Sequence, residues 1–156
     1  MLRKIDYTYF HWGPYLYKTT ITQEELDQIK KLCSKDPTKD LRTDLAGLIK
    51  HEYKIDHKAL FPILLPYFNS YAKSYTDYSG RKFGSKIELV EAWVNYMTKF
   101  ESNPIHTHDY DWSFVIFTHI PTALKNEWNN TVSSGSKPGS LNFVISLNGN
   151  EKLLNA

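Results

Sequence analysis

Cysteine is almost missing from this chain. Cys33 is the single cysteine in 156 residues, which excludes an internal disulfide and a cysteine-built zinc site and fits a reducing compartment. Long apolar runs are missing too: nothing approaches the ~18 consecutive apolar residues needed to cross a bilayer. The opening Met1-Leu2-Arg3-Lys4-Ile5-Asp6 has no apolar stretch that could act as a signal peptide. A cytoplasmic protein with no membrane partner is therefore expected. Charge of one sign is scarce as well, since nineteen Lys and Arg against seventeen Asp and Glu leave a net +2. No dense basic stripe exists to neutralise many phosphates, so nucleic acid is a poor fit as a partner. What is plentiful is aromatic surface: eleven Tyr, eight Phe and four Trp make 15% of the chain, rings that suit strands and cavity walls.

The length fits one domain at roughly 150 residues per domain, and no internal repeat or linker divides residues 1–156. Thr22-Gln23-Glu24-Glu25 is a capping box flanked by Ile21 and Leu26 as a hydrophobic staple. A helix over about 22–34 follows, with Leu26, Ile29 and Cys33 on one face and Lys30, Lys31 and Lys35 at the negative end of its dipole. Tyr15 to Ile21 reads as a strand after a Gly13-Pro14 turn. Leu45 to Ile55 is ambiguous, although Ile49, His51, Tyr53 and Ile55 alternate as a strand would. The strongest helical period comes next, where Leu60, Ile63, Leu64, Tyr67, Phe68, Tyr71 and Tyr75 step along one face. Pro66 would remove an interior hydrogen bond at a cost of ~3 kcal/mol, so a break is expected near it. From Lys86 the texture is extended: Ile87–Lys99, Trp112–Ile120 and Leu141–Leu147 read as strands. Between the last two a loop is expected over about 121–139, containing Ser133-Ser134-Gly135-Ser136. The fold class is α+β, with a helical layer over about 1–80 and a β-rich part over 86–156.

The segment Asn103 to Asp111 is the one cluster of metal-capable side chains in the sequence. Residues two apart in an extended chain share a face, so His106 and His108 can present imidazoles to one ion, as Asp109 and Asp111 can present carboxylates from the other face. That donor mix suits iron, zinc, manganese or copper rather than calcium or magnesium. H-x-H is also common by chance, and histidines solvated at a strand end would look the same. A mononuclear centre needs a third ligand. His119 lies about 23 Å along a strand at ~3.3 Å per residue from the start of the Trp112 run, which is too far. His11, His51 and His57 belong to the N-terminal layer and are more simply read as surface or packing residues. Asp109 and Asp111 remain, and with them a metallohydrolase is an alternative chemistry.

Trp93-Val94-Asn95-Tyr96, Asn103-Pro104-Ile105-His106-Thr107-His108 and Pro138-Gly139-Ser140-Leu141-Asn142-Phe143, in that order, resemble a group of 2-oxoglutarate- and iron(II)-dependent oxygenases of marine bacteria and their phages. Leu45-Ala46-Gly47-Leu48-Ile49-Lys50-His51-Glu52-Tyr53 is similar to the phage versions, so most or all of the chain is covered and the compartment implied is the cytoplasm of a bacterium or a phage-infected host. The resemblance implies a double-stranded β-helix, a cupin-like jelly roll of two facing antiparallel sheets, with helices outside and the metal at one open end. It places Fe(II) on His106 and His108, with Asp109 as an out-of-frame alternative, and the carboxylates of the co-substrate 2-oxoglutarate at Tyr96 or Asn95. Trp93, Trp112, Phe114 and Phe117 could supply the aromatic interior, although each is more simply read as core. Related domains continue with a distal histidine ligand and a basic residue that pairs with 2-oxoglutarate, whereas this chain stops at Ala156. The jelly roll is then incomplete at its C-terminus. The expectation is either a truncated oxygenase hydroxylating a small-molecule or protein substrate that the sequence does not specify, or a catalytically silent binding or structural jelly-roll domain. No catalytic side chain is assigned. An unclosed sheet edge invites a homodimer.

Overall fold

The computed structural model describes residues 5–9, 14–84, 86–132, 137–147 and 150–155, with side chains described to Val144 in the last stretch. His11, Gly13 of the expected turn and the Ser133-Ser134-Gly135-Ser136 run lie outside the described residues. The chain divides into two compact units, Met1–His106 and Thr107–Ala156. Helices and antiparallel strand pairs occur in both. No helix among the described residues is long and apolar enough to cross a membrane.

The first unit begins with a short ladder of β1 (Tyr7–Tyr9) and β2 (Tyr17–Thr19), in the register Tyr7↔Thr19 and Tyr9↔Tyr17. Helix α1 spans Gln23–Leu32. Its capping box is complete: the Thr22 hydroxyl accepts from the Glu25 N–H at 3.4 Å and the Glu25 carboxylate accepts from the Thr22 N–H at 3.2 Å. Ile29 is its buried residue, and Cys33 follows as a half-buried C-cap. Helix α2 spans His57–Ser79. The Asp56 side chain caps its start by accepting from Lys58 N–H at 2.9 Å, and Gly80, with φ +67°, supplies the left-handed residue that ends it. The Tyr67 hydroxyl of α2 donates to the Glu25 carboxylate of α1.

The break expected at Pro66 does not occur, because α2 runs unbroken through Pro62 and Pro66. Leu60, Leu64 and Tyr67 are buried along its inner face. At about 1.5–3 kcal/mol for each fully buried large apolar side chain, together they offset the ~3 kcal/mol that each of the two interior prolines costs.

A dense aromatic cluster joins the β1 and β2 hairpin to the C-terminal half of α2. The Tyr15 ring lies 5.4 Å from those of Tyr71 and Tyr75 and 5.0 Å from Tyr78, and Tyr17 lies 5.7 Å from Tyr71. At its centre Ser74 is fully buried and hydrogen-bonded to the Tyr15 hydroxyl. Burial pushes the Tyr71 phenol up to about 12 and raises that of Tyr15 as well.

Strands β3 (Glu52–Lys54) and β4 (Trp93–Asn95) form the second ladder, antiparallel with Glu52↔Asn95 and Lys54↔Trp93. The ladder gains a partial third strand where Asp40 bridges Tyr53 and the Leu41 N–H donates to the Glu52 carbonyl at 3.0 Å. At its other end Leu48 pairs with Ser102, so four steps from Glu52 on one side are matched by seven from Asn95 on the other. The surplus is absorbed in a turn at Thr98–Glu101, where Phe100 adopts a left-handed φ of 68°. Only Trp93–Asn95 of the expected Ile87–Lys99 strand is regular, and strands β1, β2 and β3 lie within the segment expected to be a helical layer.

In the second unit two expectations are corrected. Trp112–Ile120 forms no strand. Trp112, Phe114, Val115 and Phe117 are all exposed, and β propensity expresses fit to a half-buried pleated surface rather than a backbone preference. The expected loop over 121–139 instead contains helix α3, Thr122–Asn130, whose Leu124 and Trp128 stand one turn apart. The Trp128 indole N–H donates to the Pro138 carbonyl, and Leu124 sits against Gly139, which has φ +69°. The remaining strands, β5 (Asn142–Leu147) and β6 (Asn150–Asn155), pair antiparallel from Asn142↔Asn155 to Leu147↔Asn150, so the Leu141–Leu147 expectation holds to within one residue.

Candidate functional site

The β3 and β4 ladder sorts its side chains by the period of two. His51, Tyr53 and Ile55 face one way with Ala92, Val94 and Tyr96, while Glu52 and Asn95 face the other. The two residues expected at the 2-oxoglutarate carboxylates, Asn95 and Tyr96, are therefore on opposite faces and sit in different chemistry.

On the Tyr96 face, His51 Nδ1 and the Tyr53 hydroxyl are hydrogen-bonded at 3.1 Å and their rings stack at 6.2 Å. Tyr53 meets Tyr96 edge to face at 6.2 Å, and the Lys35 ammonium lies 4.7 Å above the Tyr96 ring. Burial raises the Tyr96 phenol, with Cys33 and Tyr53 adding to the effect, and burial likewise raises the Cys33 thiol. Burial thus favours the Cys33 thiol over the reactive thiolate. Asp40 goes the other way: hydrogen bonds from Arg42 hold its carboxyl below the usual range.

On the opposite face Glu52 is completely buried and Asn95 is half-buried. The backbone of Gly47 packs against the Glu52 carboxyl so closely that a Cβ there would lie 3.0 Å from its Cδ and 3.1 Å from Oε2. Gly47→Ala is expected to cost roughly 1–2 kcal/mol through overpacking, read as a lower urea midpoint at unchanged slope. Glu52 alternates with the apolar His51–Ile55 face and is nevertheless buried, because Gly47 packs over its carboxyl.

The H-x-H element lies in irregular, exposed chain rather than between two strands. His106 closes the first unit, whereas His108 and Asp109 open the second. The His106 Nδ1 is 2.7 Å from the Pro104 carbonyl. Since a carbonyl can only accept, Nδ1 carries the proton and Nε2 the lone pair, the tautomer a metal-binding imidazole adopts when a backbone carbonyl orients it. His108, Asp109 and Asp111 are exposed. Among the described residues no group of three or more His, Cys, Asp or Glu could hold a metal ion, so the donor set an iron oxygenase requires is not completed there. His119 is exposed beyond the irregular Trp112 run, and His57 occupies the first position of α2.

The His51–Tyr53 pair, Lys35 over Tyr96 and buried Glu52 are not among the site residues expected from the sequence. Alternation at His51 and Tyr53 was a signal for the first; the other two depend on segments distant in the chain. No family model, curated protein or solved structure matches this chain.

Proposed function

We propose that this chain is a relative of the 2-oxoglutarate- and iron(II)-dependent oxygenases, with its antiparallel strands belonging to a double-stranded β-helix and with His106 and His108 as the imidazoles offered to iron. The observation that carries this is the His106 ring, whose Nδ1–H is engaged by the Pro104 carbonyl within the same Asn103–His108 run that supports the resemblance. Of the two residues proposed for the co-substrate, Tyr96 suits an anion better, because the Lys35 ammonium lies over it. Asn95 stands opposite the completely buried Glu52, and its own side-chain oxygen is buried away from solvent. When bound, iron and 2-oxoglutarate would supply the oxidising chemistry; the chain's part is to hold and orient them.

A second reading has its own support. The lack of a three-ligand group among the described residues favours a silent β-domain whose histidine pair binds metal only weakly. Anaerobic Fe(II) titration of the 156-residue chain, with and without 2-oxoglutarate, separates the two. For the oxygenase relative we expect one equivalent of iron, bound more tightly with the keto acid and giving its visible charge-transfer band, and loss of both on His106→Ala with His108→Ala. Iron binding that ignores 2-oxoglutarate, or that survives the double substitution, would reject the oxygenase assignment.

A further inference from the structure

Glu52 presents an unresolved need. Its side chain has no exposure, and neither carboxyl oxygen has a hydrogen-bond partner among the described residues. An ionised carboxylate in that position would be heavily penalised, and groups so placed are commonly neutralised instead. Among the described residues no cation is hydrogen-bonded to it. The charged groups that act on it are Asp40, from the segment bridging Tyr53, and Glu101, from the turn beyond β4, both anionic. Arg42 is committed to Asp40, and Glu101 accepts from the backbone N–H groups of Thr98 and Lys50. Gly47 presents only backbone to the carboxyl.

The cross-strand partner has the matching need. Asn95 Oδ1 is also buried with no hydrogen-bond partner among the described residues, and Asn95 stands directly opposite Glu52. The Tyr96 N–H donates to the His51 carbonyl and the Ile55 N–H to the Ala92 carbonyl. Alternation then makes Glu52 and Asn95 a non-hydrogen-bonded pair, the kind whose side chains approach most closely, with Cβ atoms about 4.5–5.5 Å apart. Two groups that can only accept at these oxygens face each other, and a single proton turns one of them into a donor.

We propose that Glu52 is carried as the neutral carboxylic acid and donates its O–H to Asn95 Oδ1, forming a proton-dependent latch across the β3 and β4 ladder beneath the Gly47 backbone. Burial, reinforced by Asp40 and Glu101, raises the Glu52 pKa above its ordinary value. The sign follows from linkage. Above the unfolded value of about 4.3 the unfolded chain has released a proton that the native chain retains. The latch's contribution is therefore complete below that pH and is lost as pH rises through the folded pKa. Within that window the folding equilibrium constant falls about tenfold per pH unit for the one proton involved.

The test compares the urea midpoints of the full chain and of its Glu52→Gln variant between about pH 5 and about pH 8. Gln keeps the volume, stays neutral and offers an N–H to Asn95 Oδ1, so the variant should lose the fall of about tenfold per pH unit that the parent shows at the lower end of the range. Parallel profiles would overturn the latch. Infrared difference spectra of the parent chain with isotope-labelled glutamate give a second readout that does not depend on the variant folding. A carboxyl C=O band that persists to higher pH than those of the exposed glutamates supports the proposal, and a band that disappears together with theirs overturns it.

Discussion

Leu64→Ala should lower the stability of the first unit by about 2–5 kcal/mol, the range for emptying a buried leucine site. Leu64 is only 2% exposed, on the face of α2 that also buries Leu60 and Tyr67. Leucine and alanine are both strong helix formers, so the loss would come from removed contacts and the cavity left behind. Leu65, one residue on and 37% exposed, is the internal control: Leu65→Ala should change stability by less than about 1 kcal/mol, since surface substitutions away from special features rarely do more. Urea unfolding of both variants checks this. A native domain has a margin of about 5–15 kcal/mol, so the Leu64 variant should show a large midpoint shift at an unchanged denaturant slope. Equal shifts in the two variants would mean that α2 is not packed as described.

Pro66→Ala should act in the opposite direction, with a gain of about 1–3 kcal/mol. Pro66 lies inside α2, where it has no N–H to offer the carbonyl of Pro62, and alanine restores that donor. Part of the gain is cancelled because proline also restricts the unfolded chain, and because the half-buried ring packs near Pro62 and Ile63 beside the start of α1. A higher urea midpoint is the expected outcome. A loss would show that the proline ring is needed for the contact between α1 and α2 more than the helix needs its missing hydrogen bond.

The parts of the structure legible in the sequence are those decided within a few residues. The capping box at Thr22–Glu25 is one: donor, acceptor and spacing all lie inside one turn, and α1 starts where they say. The period of α2 was equally plain, but its continuity through Pro66 was not, since that depends on burial of Leu60, Leu64 and Tyr67 against other elements. Trp112–Ile120 shows the same limit in reverse. Its residues favour strands, yet a strand also needs a neighbouring ladder and a covered face, neither of which is written in the run itself. Helix α3 was hidden by flanking Pro, Ser and Gly residues, although Leu124 and Trp128 carried a one-turn spacing within it.

The candidate site divides along the same line. The H-x-H element is a local pattern and could be seen, whereas the tautomer of His106 is set by a carbonyl whose direction only the folded backbone defines. Asn95 and Tyr96 were both named for one ligand because sequence alone does not fix strand facing. The register Glu52↔Asn95 separates them, placing one beside a carboxyl and the other beneath an ammonium. Glu52 itself was invisible as a buried group, since Gly47, which packs over its carboxyl, precedes it by several residues without any regular period.

The tyrosine cluster gives the molecule an optical signature of its own packing. Rings held in fixed, asymmetric arrangements at spacings such as the 5.0 Å between Tyr15 and Tyr78 should produce strong near-ultraviolet circular dichroism, which vanishes when side-chain packing loosens even if helices persist. These rings all belong to the first unit, so the tyrosine part of that band reports the packing of the hairpin against α2. A state that kept its far-ultraviolet helix signal while this band faded would be one in which α2 survives and the hairpin of β1 and β2 has come away from it.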